Sequence, residues 1–258
     1  MSSNIGLASY PSLKGKRVLV TGGASGIGES IVTGFAAQGA KVAFVDIAMD
    51  AGLDLCERLT RAGVEKPVFR CCDIRDIPAL QADMQALAEQ IGGFDILVNN
   101  AGNDSRHKPE DVTLEFWNDC IAINQRPMFF TSQAVIAGMK KKGGGSIINL
   151  SSISWHIANS GYPVYTTAKA AVNGLTRGLA RDLGPYNIRV NTVTPGWVMT
   201  ERQLKLWVDE ESERQIDANQ CLPGRLQPWH IARMVLFLAS DDGAMCTAQE
   251  FIVDGGWA

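Results

Sequence analysis

Short β-branched runs alternate with amphipathic helical segments along almost the whole chain, and this alternation limits the fold more than any other feature. A strand, a helix and a second strand in series close most simply as a parallel pair with a right-handed crossover. Runs at 17–21, 42–45, 67–72, 94–98, 146–150, 188–193 and 250–253 read as strands. Apolar residues at helical spacing mark 26–38, 50–62, 78–91, 114–139, 168–183 and 229–239 as helices. The helix over 114–139 runs into Lys140, Lys141, Lys142 and three glycines, which suit a helix C-terminus and its left-handed cap. The expectation is a parallel sheet with helices on both faces, in a single domain over 1–258. Residues 1–14 read as a small, polar N-terminal extension. The least regular stretch, 195–228, follows the sixth strand and reads as a region covering the carboxyl edge of the sheet, where ligands bind.

Charge and composition exclude several classes of function. The 258 residues carry 24 Lys and Arg against 27 Asp and Glu, a net charge of −3, so no basic excess points to nucleic acid or anionic lipid. No apolar stretch approaches the roughly 18 residues of a membrane span, and no secretory leader is read at the start. The six cysteines show no CxxC spacing, so no metal site is expected. They read as reduced thiols in a cytoplasmic protein.

Between the first strand and its helix lies Thr21-Gly22-Gly23-Ala24-Ser25-Gly26-Ile27-Gly28. Glycines there permit a tight turn and close backbone approach to a pyrophosphate, and the helix N-terminus adds free N–H groups and a positive dipole end. Asp46 ends the second strand, where a carboxylate accepts hydrogen bonds from ribose hydroxyls and repels a 2′-phosphate. With no cation inside the turn to offset that charge, NAD is favoured over NADP. Asp73, after the third strand, is placed to reach an adenine amino group. Asn100, Ala101 and Gly102, after the fourth, are placed to lie along the cofactor.

Tyr165 and Lys169 stand four residues apart, one helical turn. A free tyrosine, with a pKa of about 10, is a weak base at neutral pH, and a neighbouring ammonium favours its phenolate. The pair suits removal of an alcohol proton as hydride leaves for a nicotinamide. Ser152, at the end of the fifth strand, is placed to hydrogen-bond the reacting oxygen, with Ser151 and Ser154 as competitors. Asn124 reads as a buried amide able to hold a water or a main-chain carbonyl.

TGGASGIG, Asp73, NNAG, Asn124, Ser152 with YTTAK, and Pro195-Gly196 together resemble the motif series of the short-chain dehydrogenase/reductases, in the family's order and over nearly the whole chain. The resemblance implies a Rossmann-like, doubly wound parallel α/β sheet of about seven strands, commonly in a homotetramer. It implies Tyr165 as acid and base, Lys169 as its partner at the nicotinamide ribose, Ser152 on the substrate oxygen, and Asn124 in a proton relay through a water. It also implies cofactor contacts from Gly22, Ser25, Gly26, Ile27 and Gly28. Further contacts follow at Asp46, Asp73, Ile74, Asn100, Ala101 and Gly102, and at Pro195, Gly196, Val198 and Thr200.

The segments YPSLKGKRV, NNAGNDSRHK, SISWH and CLPGR are similar to those of bacterial NAD-dependent aldose 1-dehydrogenases, which oxidise sugars such as D-xylose, L-arabinose or D-galactose at C1 to a lactone. Asn103, Asp104, Arg106 and His107 are candidates for bonding several hydroxyls. Trp155 suits an apolar sugar face, and Ser154, His156 and Asn159 lie where substrate is expected. Other readings stay open. His107 reads equally as a surface histidine, Trp155 as core or interface, and Asp104 with Arg106 as a solvated ion pair. Trp197, Trp207 and Trp229 fit either a pocket wall or the core. Alternatives for the whole chain are a dehydrogenase or reductase of another secondary alcohol or ketone, such as a 3-oxoacyl thioester or small diol, and a non-catalytic NAD sensor.

Overall fold

The computed structural model describes residues 8–258 of the chain. Strands β1 (Arg17–Thr21), β2 (Lys41–Asp46), β3 (Val68–Cys71), β4 (Ile96–Asn99), β5 (Gly145–Leu150), β6 (Ile188–Pro195) and β7 (Glu250–Val253) form one sheet. Its order is β3-β2-β1-β4-β5-β6-β7, and every pairing is parallel. This is the doubly wound α/β arrangement that the strand–helix alternation implies. The order reverses between β1 and β4, so the crevice at the carboxyl ends of these two strands is the ligand position of such a sheet.

Alternation along each strand builds the two layers of core. Val18, Val20, Val42 and Phe44 face one side and pack with Phe35 of helix α1 (Gly26–Ala37) and Leu236 of α9 (Pro228–Ala239). Leu19, Ala43, Val45 and Leu97 face the other side. They meet Leu80 of α3 (Ile77–Ile91), Met139 of α5 (Arg126–Lys142) and Leu183 of α6 (Pro163–Leu183). Helix α2 (Met49–Arg61) packs by Leu55 and Leu59 on the first side. Of the expected N-terminal extension, residues 1–7 lie outside the described residues, and Leu13 is fully buried in the first core layer.

Two departures from the sequence reading, and the helices within the expected loop-and-helix region 195–228, matter for the site. The helix expected over 114–139 is two helices, α4 (Leu114–Asn124) and α5, broken at Gln125 with φ −137° and ψ −54°. Pro127 explains the break, because it has no N–H to donate and its ring opposes the carbonyl four residues back. Helix α6 begins at Pro163, not at 168. Pro163 suits a first helical position, and Thr166, Thr167 and Lys169 interrupt the apolar periodicity that would have marked this start. The irregular 195–228 stretch contains α7 (Glu201–Leu206), capped by the Thr200 hydroxyl, and α8 (Glu210–Asn219), capped by Asp209 paired with Ser212.

A chain of buried polar side chains crosses the sheet. Thr131 donates to Asn99 Oδ1 at 2.6 Å, and Asn99 Nδ2 to Asn149 Oδ1 at 2.8 Å. Asn149 Nδ2 donates to Thr176 at 2.9 Å, and Thr192 to Thr176 at 2.8 Å. The chain ties α5, β4, β5, α6 and β6 together. Removing one member strands its neighbours away from water. Asn149→Leu is therefore expected to lower stability by about 2–4 kcal/mol, read as a lower urea midpoint at unchanged slope.

Candidate active site

The turn after β1 is shaped by what cannot carry a side chain. Gly22 has φ +66°, and a Cβ there would lie 2.8 Å from Ala101 Cα. A Cβ on Gly28 would run into the Gly22 carbonyl oxygen and 2.7 Å from Asn100 Nδ2. Gly26 (φ +55°) opens α1 opposite the Thr200 methyl, and Ser25 makes no side-chain cap bond, so the first-turn N–H groups of α1 face the crevice. Ile27 is half-buried against the first core layer. Asn100 braces the turn, donating from Nδ2 to the carbonyls of Thr21 (3.0 Å) and Gly22 (2.9 Å).

Asp46 closes one end of this cradle. Its carboxylate accepts from Ala24 N–H and Ala48 N–H, each at 2.9 Å, which fixes it at the rim of the turn. Asp73 is held by Arg75 at 2.6 Å, and this bond keeps its carboxyl below the usual range. Arg75 also pairs with Asp119 at 2.9 Å. Ile74 packs against the second core layer. From the far side, Pro195 ends β6, Gly196 lies where a Cβ would be 2.7 Å from Asp254 Cβ, and Val198 is buried beside Leu226. Thr200 then crosses back over Gly26. A pyrophosphate fits against glycines whose missing Cβ atoms leave room for it, with a ribose at Asp46. The residues present thus fit a dinucleotide.

The reactive groups meet at the other end. Tyr165 and Lys169 stand one turn apart on α6, with Lys169 Nζ 5.7 Å from the Tyr165 ring centre. Lys169 donates to the Leu150 carbonyl at 3.0 Å, and burial lowers its pKa to about 8. Burial also raises the Tyr165 phenol, the Asp104 charge adds to that, and a hydrogen bond with Ser152 acts the other way. Ser152 in turn accepts from Ser154 N–H at 3.2 Å. Asn124, 1% exposed at the end of α4, grips the main chain of Asn103. Its Oδ1 accepts from Asn103 N–H at 2.8 Å, and its Nδ2 donates to Asn103 O at 3.0 Å. The Gly102 main chain is wedged between the two groups. A Cβ there would sit 3.1 Å from Asn124 Oδ1 and 3.2 Å from Lys169 Nζ.

The expected substrate contacts divide. Ser154 is buried beside Ser152, and its hydroxyl has no partner among the described residues. Asn159 donates to the Tyr162 hydroxyl at 2.8 Å, and Tyr162 lies edge-on to Tyr165 at 5.8 Å. Asn103 Oδ1 accepts from Ser105 and, at 3.0 Å, from Arg202. His107 is held between two main-chain groups. Its Nδ1 contacts the Ser105 carbonyl at 3.1 Å, and its Nε2 accepts from Val164 N–H at 3.2 Å in the first turn of α6. Both ring nitrogens are engaged, so His107 anchors the helix that carries Tyr165. His156 turns to Glu250 at 3.0 Å, with Trp155 stacked on it at 3.7 Å.

Asp104 and Arg106 are not an ion pair. Asp104 accepts from Gln203 Nε2 at 2.6 Å and from Arg202 Nε at 3.4 Å, while Arg106 lies over the rings of Trp207 (4.6 Å), Trp197 (5.5 Å) and Tyr162 (5.5 Å). Trp197 and Trp207 thus wall the site. Trp229 stacks on His230 at the start of α9. Gln203 and Arg202 were not legible as site residues, since their partners lie 99 positions away in sequence and no local pattern marks the contact.

A parallel doubly wound sheet, a glycine cradle at its switch point and a Tyr–Lys pair beside it define a dinucleotide-dependent oxidoreductase. A family model described as enoyl-(acyl carrier protein) reductase matches residues 22–258, and the chain belongs to this family of short-chain dehydrogenase/reductases. It is 51% identical over 250 residues to "D-xylose 1-dehydrogenase" of Caulobacter vibrioides, covering 97% of this chain and 98% of that one. It is 45% identical to "Probable galactose dehydrogenase GalD" of Rhizobium meliloti, covering 96% and 97%. Among solved structures, 7α-hydroxysteroid dehydrogenase complexed with NADH and 7-oxo glycochenodeoxycholic acid overlays with a TM-score of 0.91 at 33% identity, over 96% of each chain.

Two outcomes follow from this geometry. Gly28→Ala is expected to weaken NADH binding, followed by fluorescence titration, by more than about 2 kcal/mol, or roughly thirty-fold. His107→Ala leaves the Val164 N–H without its acceptor. It is expected to cost about 1–2 kcal/mol of stability and to lower kcat with little change in KM. A raised KM at intact kcat would return His107 to the substrate.

Proposed function

We propose that this chain is an NAD-dependent aldose 1-dehydrogenase, oxidising the anomeric carbon of a pentose or hexose to the lactone. The observation that carries the reading is the wedge at Gly102. There the loop that continues from the cofactor cradle runs so close to Asn124 and Lys169 of the reactive end that a Cβ would crowd both. The named activities of the 51% and 45% identical relatives support a sugar as substrate.

Tyr165 takes the proton of the C1 hydroxyl while Ser152 hydrogen-bonds the same oxygen. NAD, when bound, accepts the hydride from C1. Lys169, whose pKa of about 8 leaves it mostly protonated at pH 7, supplies the positive charge that favours the phenolate. Lowering a tyrosine pKa by about 2–3 units takes roughly 3–4 kcal/mol of differential interaction. Asn124, locked to the Asn103 main chain, orients the loop that passes between it and Lys169. The Asp46 carboxylate at the cradle rim supports NAD over NADP by repelling a 2′-phosphate.

Exposed Leu114, Trp117 and Phe129 on α4 and α5 support the homotetramer of the family resemblance. The six cysteines are all unpaired, which supports a reducing, cytoplasmic setting. Among the described residues no helix is long and apolar enough to cross a membrane.

The test is NADH formation with D-xylose, L-arabinose, D-galactose, L-fucose, L-rhamnose and D-glucose. The expected result is clear preference for one or two of these sugars and weak or no activity with NADP. Tyr165→Phe is expected to lower kcat by about 10³-fold while NAD affinity stays within about 3-fold. No turnover across the panel, with NAD binding intact, would move the substrate to another alcohol.

A further inference from the structure

We propose that Asp104 is a specificity-determining residue, accepting hydrogen bonds from the ring hydroxyls of a polyhydroxy substrate at positions other than the one oxidised. This rests on the aldose reading and assigns its recognition to a particular side chain. Asp104 follows Gly102, where a Cβ would meet Asn124 Oδ1 at 3.1 Å and Lys169 Nζ at 3.2 Å, and Asn103, whose main chain Asn124 grips. The carboxylate is thus carried by the segment that passes through the reactive centre.

Its orientation is set from the cap. Trp197 Nε1 donates to Gln203 Oε1 at 3.0 Å, which turns the Gln203 amide so that its NH2 group meets Asp104 Oδ2 at 2.6 Å. On Oδ1 the contact is the longer 3.4 Å approach of Arg202 Nε, whose NH2 nitrogen is engaged by Asn103 at 3.0 Å. A carboxylate offers about four acceptor directions, so directions remain for hydroxyl donors. Its ion-pair partner is Arg202, while Arg106, two residues on, lies over Trp197, Trp207 and Tyr162. The Asp104 side chain is 25% exposed, and its charge is felt by both Tyr165 and Lys169. An acceptor-only carboxylate in this place selects substrates rich in hydroxyl donors.

The experiment compares D-xylose and D-galactose with 2-hydroxytetrahydropyran, a cyclic hemiacetal that keeps the C1 hydroxyl and lacks every other one. Steady-state kcat/KM is measured for the wild-type protein, Asp104→Ala and Asp104→Asn. With the better sugar, Asp104→Ala is expected to lose about 100-fold, chiefly through KM, while the bare hemiacetal loses less than about 3-fold. Asp104→Asn, which keeps one acceptor oxygen, is expected to fall between. Equal losses on sugar and hemiacetal would reduce Asp104 to a latch for α7 and overturn the assignment, as would an unchanged sugar rate. If the wild-type protein oxidises the hemiacetal but neither sugar, the aldose reading itself falls and the assignment falls with it.

Discussion

The arrangement depends on a buried ammonium. Lys169 is 3% exposed, and its charged form is disfavoured by that burial, which lowers its pKa from 10.5 to about 8. Such a group persists only where fixed dipoles and hydrogen-bond acceptors surround it. The Leu150 carbonyl, at the end of β5, supplies one fixed acceptor, and the Gly102 main chain closes the other side. Lys169 Nζ stands 5.7 Å from the Tyr165 ring centre, close enough in a low-dielectric setting for its charge to oppose the burial that raises the phenol. Placing this pair on one helical turn therefore works only if α6, β5 and the loop after β4 are held in register.

That register is what the polar chain from Thr131 through Asn99, Asn149 and Thr176 to Thr192 provides. Apolar packing is tolerant of small slides, whereas a hydrogen-bonded row must be satisfied at every link. Asn99 and Asn149 sit opposite each other in the paired strands β4 and β5, and Thr176 lies on α6 two turns beyond Lys169. The helix that carries Tyr165 and Lys169 is thereby locked to the strand that leads into Ser151 and Ser152. The break at Pro127 belongs to the same construction. It ends α4 at Asn124, and the Asn124 amide there holds a main chain.

How much of this was readable in the sequence follows from the range of the interactions involved. The strands, the glycine turn and the Tyr165–Lys169 spacing were legible because they rest on local periodicity and on backbone demands of single residues. The early start of α6 was hidden by Thr166, Thr167 and Lys169, which interrupt the apolar pattern, although Pro163 marks it. The break at 125 was signalled by Pro127 and outweighed by the apolar pattern around it. His107 and His156 show the limit more sharply. Both lie where substrate was expected, and both are taken up by partners distant in sequence, Val164 and Glu250. Side-chain orientation on a loop is set by such partners, and the loop's own composition does not encode it.

Residues 99–107 connect every part of the site in a single run. Asn99 joins the buried polar chain, Asn100 braces the glycine turn, and Gly102 passes between Asn124 and Lys169. Asn103 and Asp104 reach α7 in the cap, Arg106 enters its aromatic wall, and His107 anchors the first turn of α6. A displacement anywhere along this run is transmitted to the cradle, the base and the cap together. Tight coupling of this kind favours one closed geometry, since each contact lowers the entropy left for the next to remove. The proposed role of Asp104 places substrate recognition on this same segment. A group placed here is positioned against the reacting atoms by the same bonds that position Tyr165.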